Sequence, residues 1–400
     1  MDFKLIGCIL LIVGTSIGAG MLALPIATAS VGFVGSVVLL LGVWVVMTAG
    51  ALLILEVNLW LPQNSNLISM AKVTIGPLGQ MIAWLSYLLL LYSLLCAYIA
   101  GGSDLFHHLL SVAGIKIPAG VTATIFTILF GAIVYLGIRT VDYVNRGLMV
   151  VKFGAYLLLV VLLLPLINST KLMLGDAYHI TSVTAITVTI TSFGYAAIVP
   201  SLRIYFAGDI RKLKTAIFVG SFIPLICYIL WDMVIMGVIP LNGHHGLIAI
   251  LQSKNSTSEL VNVLNATAPY SSISFFVKLF TSICVLTSFL GVALCLTDFL
   301  LDGLQLEKQG MNNIFIHFIT LFPPLMIILF FPGVFIKALQ YAGIYCIVLL
   351  VLLPAWMAWN GRYHRHLAKA GYRVWGGRSL LILLMFFSVI MLLRSVLEVF

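Results

Sequence analysis

Gly14-Thr15-Ser16-Ile17-Gly18-Ala19-Gly20 interrupts the first apolar segment of the sequence at the depth where a membrane helix should be most regular. Apolar residues flank it, from Leu5 to Val13 and from Met21 to Ile26. A glycine in a helix costs about 1 kcal/mol relative to alanine, and non-helical backbone survives in a bilayer only when buried in protein or lining a cavity. Interrupted spans indicate binding sites in transporters. We therefore predict a solute carrier whose substrate lies against residues 14–20, the first interruption.

The composition is that of a protein embedded in lipid. Of the 400 residues, 62% are hydrophobic and 8% are charged, whereas a soluble domain has about 25% charged residues. The net charge of +9 does not indicate nucleic-acid binding, because the basic residues are scattered between apolar spans, where membrane topology accounts for them. The cysteines form no CxxC pair and no catalytic group clusters, so no metal, cofactor or enzyme activity is expected.

The apolar segments predict an all-α integral membrane protein. A bilayer is crossed by about 20 apolar residues, and we expect about 11 such spans and no soluble domain, so that 1–400 is one domain. Numbered in chain order, the first to eleventh spans are 5–29, 32–60, 81–103, 119–138, 147–167, 183–203, 214–239, 274–301, 314–331, 334–359 and 379–399.

The basic residues predict the orientation, since cytoplasmic loops carry an excess of Lys and Arg. With the N-terminus inside, the external loops hold only Lys116, Lys171, Lys254 and Lys337. The internal loops and span ends hold Lys4, Lys72, Arg139, Arg146, Arg203, Arg211, Lys212, Lys214, Lys308, Arg362, Arg365, Lys369, Arg373 and Arg378. We therefore expect a cytoplasmic N-terminus and an external C-terminus.

A second interruption, residues 189–201, places hydroxyl residues, Gly194 and Pro200 inside the sixth span. A kink in an ordinary helix is the alternative interpretation. The first and sixth spans are equivalent positions in two halves of five spans, and an odd number of spans makes the second half inverted, as in many secondary transporters. The predicted division is 1–170 for the first repeat, 171–360 for the inverted repeat and 361–400 for a cytoplasmic loop and the extra eleventh helix.

Two interrupted helices side by side match the two charges of an amino acid. A restarting helix has free N–H groups that favour an anion, and a stopping helix has free carbonyls that favour a cation. We expect the N–H groups from Ile17 to Met21 to bind the carboxylate, and carbonyls near Gly14 and Phe193 to bind the ammonium. The predicted substrate-binding residues of the interruptions are Gly14, Thr15, Ser16, Ile17, Gly18, Ala19, Gly20, Met21, Ser192, Phe193, Gly194 and Tyr195.

Other polar and aromatic residues are candidates with equally plain structural alternatives. Lys152 lies inside the fifth span, about 9 Å beyond Arg146 along a helix, and is either functional or snorkels to the interface. Thr287 and Ser288 in the eighth span either bind an ion or bond back to their own helix. Candidates for an aromatic pocket, each of which is otherwise ordinary packing, are Tyr92, Tyr98, Phe193, Tyr195 and Phe289.

The segment Gly14 to Pro25 resembles the first-span motif of the aromatic amino acid permeases of the hydroxy/aromatic amino acid permease family. The resemblance covers nearly the whole chain and is greatest to the tyrosine-specific branch. It continues at Thr191-Ser192-Phe193-Gly194, Val199-Pro200-Ser201, Arg211-Lys212-Leu213, 287–294, Phe322-Pro323-Pro324, Tyr341-Ala342-Gly343 and 371–377. It implies a LeuT-like fold with broken first and sixth helices, and proton-coupled amino acid import across a bacterial inner membrane, with the C-terminus in the periplasm.

The resemblance also implies residue roles and marks two departures. Lys152 would take the place that sodium occupies in sodium-coupled relatives and would couple transport to protons, while Asp298 resembles a family aspartate with a possible ion or gating role. The family usually has Gly, aromatic, His, Gly where this chain has 194–197, and Gly and Phe where it has Cys295 and Thr297. Sodium coupling, and transport of tryptophan, phenylalanine or serine instead of tyrosine, stay open as alternatives.

Overall fold

The structure is a computed structural model that describes residues 3–206, 209–267, 271–306, 309–367 and 371–399. Every regular element in these ranges is helical, which confirms the predicted all-α class. Lys308 and Lys369, two of the internal charges counted above, lie outside the described residues.

Nine helices of the described chain are long and apolar enough to cross a membrane. They are Ala29–Leu59, Pro77–Val112, Ile138–Leu166, Val183–Ile204, Ile210–Val238, Ser272–Gly303, Gly310–Phe330, Phe335–Tyr363 and Gly377–Glu398. A tenth candidate is the pair Lys4–Ser16 and Ala19–Ala27, which bends by 52° at its break. The predicted fourth span is the shorter apolar helix Ala119–Tyr135, of 17 residues. These elements occur in the order of the predicted spans. The predicted count of eleven is reached only if the bent pair forms one span and the 17-residue helix also crosses the membrane.

Several spans are built from more than one helix. The first comprises Phe3–Ser16 and Ala19–Ala27, and the sixth comprises Val183–Ser192, the 3₁₀ segment Gly194–Ile198 and Val199–Tyr205. The tenth comprises Phe335–Ile347, the π-helical turn Val348–Leu352 and Leu353–Tyr363. The helices outside the spans include Leu67–Thr74 between the second and third spans, and Leu247–Gln252 and Ser256–Thr267 between the seventh and eighth spans.

Local sequence explains several helix starts. The Asn66 side chain accepts a hydrogen bond from the Ser69 N–H, and the Ser69 hydroxyl accepts one from the Asn66 N–H, which is a capping box at the start of Leu67–Thr74. Pro77 occupies the first turn of the third span, where its missing N–H costs nothing. Asp209 accepts from the N–H groups of Arg211 and Lys212 and so caps the seventh span.

The spans pack in pairs that relate the two halves of the chain. The third span packs on the tenth, and the fifth packs on the eighth. The first helix of the first span packs on the seventh, while the second span packs on all three parts of the sixth. The buried apolar side chains form one continuous cluster that runs through both halves. The described chain is therefore a single packed unit around the interruptions.

A buried ion pair near the C-terminal ends of both helices ties the second span to the tenth. The Arg362 guanidinium donates to both oxygens of Glu56, with Nε to Oε1 at 2.7 Å and Nη2 to Oε2 at 2.6 Å. The backbone N–H of Val374 donates to the same carboxylate at 2.6 Å. Both charged side chains are at most 1% exposed, so the carboxylate depends on these three donors for compensation.

We predict that Glu56→Gln strongly destabilises the protein. Breaking one side of a buried pair leaves an uncompensated guanidinium and costs about 3–5 kcal/mol. The matched control is Asp142→Asn, which breaks the exposed pair of Asp142 with Arg146 at 2.8 Å and should cost about 0.3–0.5 kcal/mol. Thermal unfolding of the purified variants in detergent measures both, and equal shifts in melting temperature would contradict the role assigned to the buried pair.

Candidate functional site

The first interruption is a sharp break between two helices. The first helix ends at Ser16, Gly18 is extended at φ −153° and ψ −152°, and the second helix starts at Ala19. Gly18 lies so close to the eighth span that an added Cβ would overlap Ser288 Oγ. A glycine is therefore required here by close packing rather than by a positive φ.

Three of the backbone N–H groups predicted to bind the carboxylate already donate hydrogen bonds within the protein. Ile17 donates to the Val13 carbonyl at 2.9 Å, and Met21 donates to the Gly18 carbonyl at 3.1 Å. Ala19, the first residue of the restarting helix, donates to Ser288 Oγ at 3.0 Å. Ile17 and Met21 are held by backbone acceptors, whereas the Ala19 N–H is held only by the Ser288 side chain, which a carboxylate would have to displace. The anion-binding candidates are therefore Gly18, Ala19 and Gly20.

The second interruption is a change of helix type rather than a sharp break. Regular α-helix ends at Ser192, continues as a 3₁₀ segment to Ile198 and resumes at Val199. The whole stretch Val183–Ile204 forms one span. The two interruptions touch, because a Cβ on Gly20 would lie 3.0 Å from Ser192 Oγ.

Tyr228 of the seventh span joins the two interruptions. Its hydroxyl lies 2.6 Å from the Ser16 carbonyl oxygen and 2.7 Å from the Ser192 carbonyl oxygen. These are the last residues of the two helices that stop, where unpaired carbonyls are expected. Tyr228 is completely buried, and its ring packs edge-on against Phe193, with centroids 5.1 Å apart. Sequence reasoning missed Tyr228, since a tyrosine inside an apolar span carries no local signal.

Lys152 reaches the first interruption from the fifth span. Its Nζ donates to the Ile17 carbonyl at 2.6 Å and to Thr287 Oγ1 at 3.4 Å. The side chain is completely buried, so it does not snorkel to the interface. In the described part of the chain, no carboxylate forms an ion pair with Lys152. The ammonium is thus held by neutral oxygens, one of which belongs to the break.

Neighbouring residues of the eighth span contact different partners of this arrangement. Thr287 accepts from Lys152 and donates to the Cys284 carbonyl at 3.2 Å. Ser288 accepts from the Ala19 N–H at 3.0 Å. Asp298 is exposed and lies about 16 Å further along the helix. The structure therefore brings Thr287 and Ser288 to the first interruption and leaves Asp298 away from it.

Several predicted contact residues point elsewhere. The Tyr92 hydroxyl donates to the Ile319 carbonyl of the ninth span at 2.6 Å, and the Tyr195 hydroxyl lies 3.1 Å from Thr48 Oγ1 in the second span. Phe289 packs against Phe126 of the fourth span, with centroids 5.5 Å apart. Thr15 is exposed and bonds back to its own helix. In this structure the side chains of Tyr92, Tyr195 and Phe289 contact other spans, and that of Thr15 bonds to its own helix.

Four further predicted residues of the interruptions are Gly14, Gly194, Ser16 and Ser192. A Cβ on Gly14 would meet the flexible end of Met149, and a Cβ on Gly194 would make only an ordinary contact with Cys346, at 3.7 Å. Ser16 and Ser192 bond back to their own helices through their hydroxyls, at 2.9 Å and 3.0 Å, so they offer backbone carbonyls to the site and not side chains.

A separate cavity of about 290 Å³ is lined by residues of the third, fourth and tenth spans and of neighbouring segments. Asp104 lines it but is already engaged, since its two carboxylate oxygens accept from Thr257 and from the side chain and N–H of Ser258 at 2.6–2.8 Å. Among the described residues, no three His, Cys, Asp or Glu side chains are placed to hold a metal ion. The interruptions remain the candidate site.

We predict that Gly18→Ala destabilises the protein and that adding Ser288→Ala restores part of the loss. The new methyl overlaps Ser288 Oγ, and overpacking costs about 1–3 kcal/mol. Gly291→Ala is the control, because its Cβ would meet nothing within 4 Å. Melting temperatures in detergent measure the cycle, and the absence of recovery in the double variant would contradict the close contact.

Comparison with known proteins agrees with the geometry. The sequence profile of the Tryptophan/tyrosine permease family matches residues 1–395. The chain is 36% identical to "Tyrosine-specific transport system 1" of Haemophilus influenzae, over 97% of this chain and 95% of that protein. It is 30% identical to the "Tryptophan-specific transport protein" of the same organism, over 98% and 96%. It is also 30% identical to "Glutamine transporter 2" of Aliivibrio fischeri, over 99% and 100%.

These matches extend over nearly the full length of each protein and agree with the predicted resemblance. The relatives are transporters, as expected of a chain for which no enzyme activity was predicted. The apolar helices indicate a multi-pass membrane protein. The family indicates an amino acid as the class of substrate. The chain belongs to the tryptophan/tyrosine permease family.

Proposed function

We propose that this protein imports an aromatic amino acid, with tyrosine as the preferred substrate, by proton symport across the bacterial inner membrane. The observation that carries the proposal is the meeting of the Ser16 and Ser192 carbonyls at one point beside a restarting helix. The proposed site holds the ammonium between these two carbonyls and the carboxylate at the N–H groups of Gly18, Ala19 and Gly20. Buried carbonyls and helix N-termini have the partial charges that this assignment needs.

The proposed architecture is eleven spans in a LeuT-like inverted repeat of five plus five, with the divisions 1–170, 171–360 and 361–400. In such a repeat each span of the first half corresponds to the span five places later, so a contact between the third and tenth spans should be matched by one between the eighth and fifth. Both pairs are in contact. The contact of the first and seventh spans should likewise be matched by one between the sixth and second, and these pairs are also in contact. This pairing supports the repeat, and the basic loops support an internal N-terminus and a periplasmic C-terminus.

The burial of the proposed site supports alternating access. Ile17, Phe193 and Tyr228 are completely buried, which describes a site closed to both sides of the membrane. A substrate reaches such a site only if the packed spans around it move, as when one part of a transporter rocks against the other. We propose that the structure corresponds to an occluded conformation of the transport cycle.

Coupling to protons is proposed to act through Lys152. Its ammonium donates to the Ile17 carbonyl inside the first interruption and to Thr287. Thr287 is the residue that would coordinate sodium if transport were coupled to sodium. A sodium ion at Thr287 would lie beside another positive charge, and no carboxylate among the described residues forms an ion pair there to compensate the two charges, which favours protons over sodium. Gain or loss of a proton on Nζ changes the strength of its bond to Ile17, because charged donors form the stronger hydrogen bonds.

We predict that Lys152→Ala abolishes uphill tyrosine accumulation driven by a proton gradient in proteoliposomes, while tyrosine exchange without a gradient persists. The matched control is Lys171→Ala, which also removes a bond from an ammonium to a carbonyl, that of Val238 at 2.5 Å, and should still accumulate tyrosine. Full accumulation by the Lys152 variant, unchanged across external pH, would contradict proton coupling through this residue. Uptake by the unaltered protein driven by sodium alone would favour the sodium alternative.

The side-chain preference is the second question, because one relative is named a glutamine transporter. Ala196, at the second interruption, is buried and apolar, which suits an aromatic ring better than an amide. We predict that unlabelled tyrosine inhibits radiolabelled tyrosine uptake more strongly than tryptophan, phenylalanine, serine or glutamine does. If glutamine or serine competes better than the aromatic amino acids, the substrate is a broader class of neutral amino acids.

A further inference from the structure

The Tyr228 hydroxyl has more acceptors than it can serve. It carries one hydrogen, yet the carbonyl oxygens of Ser16 and Ser192 lie 2.6 Å and 2.7 Å away. At any moment the hydroxyl can donate a full hydrogen bond to only one of these carbonyls. The other is then a buried acceptor without a full hydrogen bond, which costs free energy. A residue whose only role was to stabilise one helix end would need only one of the two contacts.

Tyr156 shows what the ordinary arrangement looks like in this protein. Its hydroxyl donates to a single backbone carbonyl, that of Cys227, at 2.9 Å. Tyr156 is also almost completely buried and lies in the neighbouring fifth span. The two tyrosines are alike in burial and bond type and differ in that Tyr228 joins the ends of two interrupted helices.

We propose that the Tyr228 hydroxyl is an internal competitor of the substrate's ammonium, which the amino acid must displace in order to bind. This inference rests on the proposed function, since it takes the two carbonyls as the ammonium site. The hydroxyl and the ammonium use the same two oxygens and cannot lie between them together. Without an amino acid, Tyr228 holds the two interruptions to each other; with one, the substrate makes that connection instead.

The exchange favours an amino acid over the tyrosine hydroxyl. An ammonium has three donors and a positive charge, so it serves both carbonyls at once, and charge-assisted hydrogen bonds are about twice as strong as neutral ones. A ligand without an amine cannot replace the hydrogen bonds that the displaced hydroxyl made to the two carbonyls. Tyr228 thereby makes the site select for ligands with an amine. Release of its hydroxyl from the two carbonyls also connects binding to movement of the seventh span, on which the first helix of the first span packs.

The test compares Tyr228→Phe with Tyr156→Phe, using equilibrium binding of radiolabelled tyrosine to the purified full-length protein. Removing the competitor should tighten tyrosine binding about fivefold, the equivalent of one net hydrogen bond, whereas Tyr156→Phe should leave it unchanged. The second ligand is 3-(4-hydroxyphenyl)propionate, which is tyrosine without its amine, measured by competition. Its affinity should not rise in Tyr228→Phe, because it cannot satisfy the exposed carbonyls.

The outcomes separate this inference from the proposed function. Weaker or unchanged tyrosine binding in Tyr228→Phe, or an equal gain for both ligands, would overturn the competition while leaving the carrier assignment intact. Failure of the unaltered protein to bind any aromatic amino acid would overturn the proposed function and the inference with it.

A second measurement does not depend on the phenylalanine variant. With 3-fluorotyrosine at position 228, the hydroxyl is kept and the ¹⁹F resonance reports its surroundings. The resonance should move on addition of tyrosine and stay in place with the amine-free analogue. A resonance that tyrosine leaves unmoved would overturn the displacement.

Discussion

The structure depends on one constraint, which is that backbone polar groups inside a bilayer must find partners within the protein. The first span stops at Ser16 and restarts at Ala19, so groups that a continuous helix would satisfy need partners from elsewhere. Three other spans supply them: Lys152 binds the Ile17 carbonyl, Ser288 binds the Ala19 N–H, and Tyr228 binds the Ser16 carbonyl.

This constraint links the fold to the proposed chemistry. The fifth, seventh and eighth spans surround the first interruption because each contributes a polar group to it. A substrate that brings its own ammonium and carboxylate can take over some of these bonds, and a proton can change the strength of the bond from Lys152. Binding, coupling and gating would then act on a few backbone atoms rather than on separate sites.

The sequence predicted the parts of the site that leave a local signal. Glycines at membrane depth indicated the break, and an ionisable residue in the fifth span indicated Lys152, which does contact the break. Direction within a span could not be predicted, since a span that is apolar all round does not show which side faces a neighbour. Tyr92 therefore looked suitable but faces the ninth span, while Tyr228 looked ordinary although it joins carbonyls 212 and 36 residues away in sequence.

The central claim is that the two interruptions form the amino acid site, and an experimental structure of the protein with bound tyrosine tests it most directly. The account predicts the ammonium between the carbonyl oxygens of Ser16 and Ser192, and the carboxylate at the N–H groups of Gly18 to Gly20. Tyrosine bound instead in the separate cavity near Asp104, with the Tyr228 hydroxyl still on both carbonyls, would contradict it.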